Sequence, residues 1–242
     1  GAGSGAAVVD AMLGVDPGVA DTLAEVLVAG SVTGGTDLSI SIGDDFKTLT
    51  AGTSNLRLGV NAGDAIASGG NYNVVVGDEA GTAISTGDEN VAVGYNALIT
   101  ATTASQNTAV GASALKSNTS GQYNSALGRE ALKNNTSGAY NTAMGRTALA
   151  ANTTGTSNNA VGFGALGANT TASQNNAFGR NALGTNTTGA DNTAFGQNTL
   201  GSSTTASNNT AVGSDALAAN TTGEGNAAVG KTALTTNTTG TL

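Results

Sequence analysis

The stretch NTAVGASALKSNTSGQY, from Asn107 to Tyr123, is a seventeen-residue unit that recurs over most of the chain. Its first asparagine returns every seventeen residues, and a glycine stands four residues after each one. These asparagines are Asn73, Asn90, Asn107, Asn124, Asn141, Asn158, Asn175, Asn192, Asn209 and Asn226. An unbroken short period is typical of stacked repeat proteins, in which each unit is buried only by its neighbours. The sequence therefore predicts a rod of stacked units and favours a structural protein over an enzyme.

The length and composition of the unit indicate an all-β fold. Seventeen residues are too few for a repeat built from a pair of helices, and the recurring Gly, Asn, Thr and Ser favour turns. We predict one coil of a β-solenoid per unit, with a first strand in the NTAVG segment, a second in the Ala-Leu segment such as Ala114-Leu115, and a turn at NTTG. Coils spaced by about 4.8 Å would make a rod of roughly 50 Å.

Composition limits the chemistry that the chain can perform. Only 3% of the 242 residues are aromatic, which suits a thin, repetitive cross-section better than a thick core. The sequence has no Cys and no His, so disulfides, thiolate or imidazole metal sites and Ser-His or Cys-His catalysis are excluded. No pair of carboxylates recurs near a plausible nucleophile. We therefore predict no catalytic, cofactor-binding or metal-binding residues.

Charge and hydropathy argue against two further classes of partner. The net charge is -8, and residues 1–90 hold twelve Asp and Glu against Lys47 and Arg57. Nucleic-acid binding needs a basic stripe that this chain lacks. No stretch approaches the eighteen or so apolar residues of a membrane helix, so membrane insertion is not expected.

The start has no initiator Met and no basic region, which favours a fragment or a processed form.

The chain divides into three parts. Residues 1–36 are predicted to form a glycine-rich lead and a short helix, with Asp16 as N-cap, Pro17 at the first helical position and an end at Gly30. This helix would either cap the first coil or serve as a self-associating or docking segment, since it is too short to be stable alone. Residues 37–72 are predicted to be irregular strands and coils, and residues 73–242 the regular solenoid.

The two residues at the centre of each predicted strand differ in size. Ala109 and its equivalents are nearly always alanine, whereas the next position holds Val, Leu, Met or Phe, as in Val110 and Phe195. Neighbours along a strand face opposite sides, and we expect the same alternation in the Ala-Leu segment. A narrow coil encloses only one side, so the other would form an apolar stripe too continuous for a soluble monomer. The stripe predicts an oligomer that associates along the rod.

Two columns of asparagine recur at the predicted coil corners. One column begins each unit, and the other opens the NTT and NTS triplets at Asn118, Asn135, Asn152, Asn169, Asn186, Asn220 and Asn237. Identical amides one strand spacing apart can hydrogen-bond up and down the stack, and we predict such ladders. The triplets also match the acceptor pattern for N-glycosylation, which matters only if the chain is secreted by a eukaryotic cell.

Threonine pairs and acidic pairs leave two alternatives open. Paired threonines such as Thr153-Thr154 would form a surface ladder that could order water, so ice binding is an alternative function. The pairs Asp44-Asp45, Asp78-Glu79 and Asp88-Glu89 each follow a glycine and resemble calcium ligands. These acidic pairs do not recur after residue 90, whereas calcium-binding repeats keep a regular spacing. We therefore interpret the pairs as residues of solvent-exposed turns.

The repeat carries a resemblance to known families. The NTAVG-x-x-AL-x-x-NTTG unit resembles the repeats of tail-fibre proteins of tailed bacteriophages, especially marine ones. Residues 22–45, TLAEVLVAGSVTGGTDLSISIGDD, resemble the segment that precedes such repeats. More distantly, the unit is similar to the heads of YadA-type trimeric autotransporter adhesins, whose SVAIG-like units form left-handed β-rolls associated in threes. The resemblance implies a homotrimeric fibre that is virion-borne or extracellular.

The function that this resemblance implies is a shaft of a viral tail fibre that supports attachment to a host cell. It implies a virion location, other virion tail proteins as partners at the N-terminal end, and a host surface receptor bound by a tip outside this stretch. The alternative is a passenger segment of a trimeric bacterial surface adhesin, and an ice-binding β-solenoid is a third hypothesis. The gene's neighbours would distinguish virion from cell surface.

Overall fold

The computed structural model describes residues 54–66 and 69–241, and the regular elements of this part are all β-strands. Each strand is three residues long and belongs to one repeat. The strands are β1 Leu56–Leu58, β2 Val74–Val76, β3 Val91–Val93, β4 Thr108–Val110, β5 Ser125–Leu127, β6 Thr142–Met144, β7 Asn159–Val161, β8 Asn176–Phe178, β9 Thr193–Phe195, β10 Thr210–Val212 and β11 Ala227–Val229. The predicted helix near residues 16–30 and all of residues 1–53 lie outside the described residues.

The eleven strands form one parallel sheet in which each strand pairs with the next along the chain. Equivalent residues are paired, so Thr108 lies beside Ser125 and Ala109 beside Ala126. One strand per repeat, with the rest of the repeat returning the chain to the next strand, defines a parallel β-solenoid. The predicted fold class and the strand in the NTAVG segment are therefore confirmed. β1 pairs with β2 at a separation of eighteen residues, Leu56 beside Val74.

The second predicted strand, in the Ala-Leu segment, is wrong. Ala114 and Leu115 lie in a turn, and both are fully buried instead of facing opposite sides. Leu115 has a φ of 49°, in the left-handed region, so the alternation expected of an extended chain does not apply. The turn still joins neighbouring coils, because the Leu115 N–H donates to the carbonyl of Ala131 at 3.0 Å.

The core is a thin file of small apolar residues inside the coils. From β3 to β10, each coil contributes the strand alanine and an Ala-Leu pair from the turn, except that Thr199 replaces the second alanine in one coil. The coil of β2 instead contributes Val75, Ala80 and Ile84. The fully buried leucines are Leu98, Leu115, Leu132, Leu149, Leu166, Leu183, Leu200 and Leu217. Burying a leucine contributes about 1.5–3 kcal/mol. The eight coils from β3 to β10 repeat this contribution, which is how a stack with few aromatic residues becomes stable.

The first asparagine of each repeat lies in the core and forms a continuous amide ladder. The Asn141 backbone N–H and Nδ2 donate to Asn124 Oδ1 at 3.0 and 3.1 Å, and Nδ2 also donates to the Gly155 carbonyl at 2.8 Å. Asn158 makes the corresponding bonds to Asn141 Oδ1. The predicted ladder is confirmed, and it satisfies polar groups that would be costly to bury unpaired.

The second asparagine of each repeat forms another buried ladder. Asn152 Nδ2 donates to Asn135 Oδ1 at 2.8 Å and to the Gly155 carbonyl at 3.1 Å. Asn169 Nδ2 donates in turn to Asn152 Oδ1 at 2.9 Å. The ladder prediction is confirmed here too, because side chains in this column are buried and engaged with the adjacent coil.

The glycine that follows each strand is required by both conformation and space. Gly111 has a φ of 130°, which side chains rarely allow, and a Cβ there would lie 2.7 Å from the carbonyl carbon and oxygen of Gly128. The same relation recurs from coil to coil down to Gly213. The chain therefore turns out of the sheet at a point where two successive backbones are in close contact.

Candidate functional surface

The outer face of the sheet carries an unbroken file of apolar side chains, which we call the apolar column. Strand neighbours face opposite sides, as predicted, and the structure places Ala109 inside the coil and Val110 outside it. The column contains Leu58, Val76, Val93, Val110, Leu127, Met144, Val161, Phe178, Phe195, Val212 and Val229. None of them is buried, and Leu127 is 48% exposed.

Aromatic residues strengthen the column in its C-terminal half. The rings of Phe178 and Phe195 stack with centroids 4.6 Å apart and planes 3° from parallel. Beside the column, directly after the glycine that ends each strand, the Arg146 guanidinium lies 5.7 Å from the centre of the Phe163 ring. Both aromatic groups remain partly open, since Phe195 is 42% and Phe163 46% exposed. Exposed aromatic rings beside arginine are common at the centres of protein interfaces.

The sheet face that carries the apolar column is long and narrow. Eleven strands spaced by about 4.8 Å make it about 50 Å long, and three residues at about 3.3 Å each make it about 10 Å wide, so it covers roughly 500 Å². From β4 to β10 the other outward strand position holds Thr, Ser or Asn, so the apolar part is the column itself. Apolar patches of about 300–600 Å² are the largest on a typical monomer and are often functional. The face is therefore a candidate contact surface for another chain.

The threonine pairs do not present a simple double file of hydroxyls. The first threonine of each pair hydrogen-bonds to the backbone of the next coil: Thr136 Oγ1 donates to the carbonyl of Thr153 at 3.0 Å, and Thr153 Oγ1 donates to that of Thr170 at 3.0 Å. These residues are half-buried, whereas the second member, such as Thr154, is exposed. The first threonines of the pairs thus stabilise the stack of coils, and only the second threonines leave their side chains on the surface.

The described acidic pairs bind neighbouring coils. Asp88 Oδ1 accepts hydrogen bonds from the backbone N–H and Nδ2 of Asn71 at 2.7 and 3.1 Å. Glu79 Oε1 accepts one from Asn61 Nδ2 at 2.7 Å. Over residues 54–66 and 69–241, no three acidic, His or Cys side chains are grouped as metal ligands. The pair Asp44-Asp45 lies outside the described part of the chain.

A shallow groove of about 620 Å³ runs along the coils between Thr147 and Ala218. Its floor lacks side chains because Gly167, Gly184 and Gly201 occupy three successive coils at the same point of the repeat. Asp215 is the one ionisable side chain among the residues that line it. The groove thus lacks a pair of groups for acid–base catalysis.

The described residues define a class of structure: a parallel β-solenoid whose sheet carries an open apolar face. Comparison with protein-family models, curated proteins and solved structures finds no match. Within residues 54–66 and 69–241, no helix has the length and apolar character required to cross a bilayer.

Proposed function

We propose that the chain is a structural shaft segment of a homotrimeric fibre, and that the fibre belongs to a phage tail. In this role it carries no catalytic site and holds a binding tip at a distance from the particle. Its N-terminal end would join other virion tail proteins, and the tip, outside this stretch, would contact the host receptor. The observation that carries the proposal is the apolar column, which is continuous over all eleven strands.

A lateral partner with the same repeat covers such a column best. Identical chains in parallel register bring the same side chain to the same height at every coil, so no level of the stack is left open. Closed symmetry then buries the column on every copy and limits the assembly to a fixed number of chains. The number three comes from the resemblance of the repeat to trimeric fibres.

The regularity of the coils supports a mechanical role. Most coils repeat the same inward Ala, Leu and Asn contacts, so stability grows with every repeat. Ligand sites need a few precisely placed polar groups in a pocket. The outer surface beyond the sheet is rich in Asn, Thr, Ser and Gly, which keeps an exposed appendage hydrated.

The substitution Phe195→Glu tests the role of the apolar column. Phe195 is exposed in the single chain and stacks on Phe178, so a carboxylate there leaves the coil intact but introduces a charge into the proposed interface. We expect the dissociation constant of the assembly to rise at least thirtyfold, the effect of losing about 2 kcal/mol at a hot spot. Light scattering would show smaller particles, and circular dichroism would retain the β signal.

Thr205→Glu is the matched control, because Thr205 lies in the same repeat, is exposed and is outside the sheet. It should leave the particle mass unchanged. Equal masses for wild type and both variants would show that the column is not an interface.

A trimeric bacterial adhesin is the alternative with the same surface requirements. Antibody raised against the chain should label intact virions if the tail-fibre proposal is correct. Labelling of bacterial cells in the absence of phage would favour the adhesin.

A further inference from the structure

The second asparagine ladder is interrupted once, at Ser203. From Asn135 to Asn186 each Nδ2 donates to the Oδ1 of the asparagine one coil earlier, with distances of 2.8–3.1 Å. The ladder resumes where Asn237 Nδ2 donates to Asn220 Oδ1 at 3.3 Å. Between these two segments the place of the asparagine is taken by Ser203, which is fully buried.

The interruption leaves polar atoms without partners inside the coil. Asn186 Oδ1 and Ser203 Oγ have no hydrogen-bond partner, although both residues are 0% exposed. The carbonyl of Ala206 accepts one amide bond, from Asn192 Nδ2 at 2.7 Å. The equivalent carbonyl of Gly155 accepts two, from Asn141 and Asn152. Buried polar atoms in folded proteins are paired with few exceptions. Asn186 Oδ1 and the Ala206 carbonyl therefore require a further hydrogen-bond donor, and the Ser203 hydroxyl requires an acceptor.

Serine cannot replace the missing carboxamide by itself. Its side chain ends at Oγ, whereas the asparagine side chain has two more heavy atoms and reaches one bond further from Cβ. The difference in volume between the two side chains is close to the volume of one water molecule, about 30 Å³ in the liquid. Polar cavities of this size hold water, whereas apolar ones stay dry.

We propose that one water molecule is bound inside the solenoid at Ser203, in the place of the missing carboxamide. It donates to Asn186 Oδ1 and to the carbonyl of Ala206, and it accepts from the Ser203 hydroxyl. This arrangement satisfies the two unpaired side-chain atoms and restores the second bond to the Ala206 carbonyl. The water thereby extends the ladder that ends at Asn186 by one coil, to Ser203. The proposal concerns the interior of one coil and is independent of the proposed fibre.

The neighbouring coils show that an asparagine would fit at residue 203. In most repeats with the second asparagine, glycine stands three residues later, but the coil of Asn169 has Ala172 there, as the coil of Ser203 has Ala206. Asn169 nevertheless donates to the Ala172 carbonyl at 3.0 Å and to Asn152 Oδ1 at 2.9 Å. The alanine methyl therefore does not fill the space that the carboxamide uses.

The test compares the wild type with Ser203→Asn by high-resolution crystallography and by thermal melts at one protein concentration. In the wild type we expect density for a single water within hydrogen-bond distance of Asn186 Oδ1. In Ser203→Asn the amide should replace that density, and the unfolding constant should fall about tenfold because no water is immobilised. Ser202→Asn is the control, since Ser202 is exposed and adjacent, and its melt should match the wild type.

Two results would overturn the proposal. One is a wild-type density map with no water at Ser203, a result that needs no variant. The other is a wild-type water that stays in place in Ser203→Asn, because the amide should occupy its position.

Discussion

Leu166→Asp is expected to destabilise the solenoid by more than about 3 kcal/mol. Leu166 is fully buried in the core file, where a carboxylate would lose its contact with water. One term opposes the loss: Leu166 has a φ of 50°, and aspartate tolerates left-handed backbone better, which returns about 1 kcal/mol. Removing the leucine side chain alone costs about 2.7–5 kcal/mol, so the loss dominates even before the charge is counted.

Thr170→Ser, in the same coil, is the control for this prediction. Thr170 Oγ1 donates to the carbonyl of Thr187 at 3.1 Å, and serine keeps that hydroxyl. Its effect should stay within about 0.5 kcal/mol in thermal or denaturant unfolding. Equal effects of the two substitutions would mean that the inward and outward faces have been assigned wrongly.

Gly162→Ala is expected to cost more than about 3 kcal/mol, because backbone strain and overpacking each contribute about 1–3 kcal/mol. Gly162 has a φ of 132°, and a Cβ would lie 2.6 Å from the carbonyl oxygen of Gly179 in the next coil. The clash is with backbone, so it cannot be relieved by rotating a side chain. The two coils would have to separate at the edge of the sheet.

Gly167→Ala gives the same chemical change in the same coil. A Cβ there would approach the Gly164 carbonyl at 3.1 Å, and the corresponding points of other coils hold Ala150 and Ala218. Its free energy of unfolding should stay within about 1 kcal/mol of the wild type, since the unfolded chain also loses freedom. Similar losses for both glycines would contradict the close approach of the coils at Gly162.

The periodic residues predicted much of the fold. A fixed spacing of Asn and Gly indicated one coil per repeat, and the alternation of Ala109 and Val110 indicated that these residues face opposite sides of the strand. The amide ladders followed from the same spacing. These inferences succeeded because identical coils must place identical residues above one another, so that period alone determines register.

The remainder depended on backbone conformations that the sequence does not reveal. Leucine disfavours left-handed φ by about 1–2 kcal/mol, so Leu115 gave no reason to expect a turn that buries two consecutive side chains. The reason that a glycine is required after each strand became clear only from its short distance to the backbone of the next coil. Ser203 was visible as the one serine in a column of asparagines, but its effect depends on which buried atoms surround it.

The particle mass of residues 1–242 in solution tests the proposed lateral association most directly. Light scattering at micromolar concentration should give three times the 23.1 kDa mass of one chain. The reason is that the apolar column on the outer face of the sheet would otherwise remain in water along its whole length. A stable monomer would contradict lateral association, and a dimer would contradict the threefold assembly.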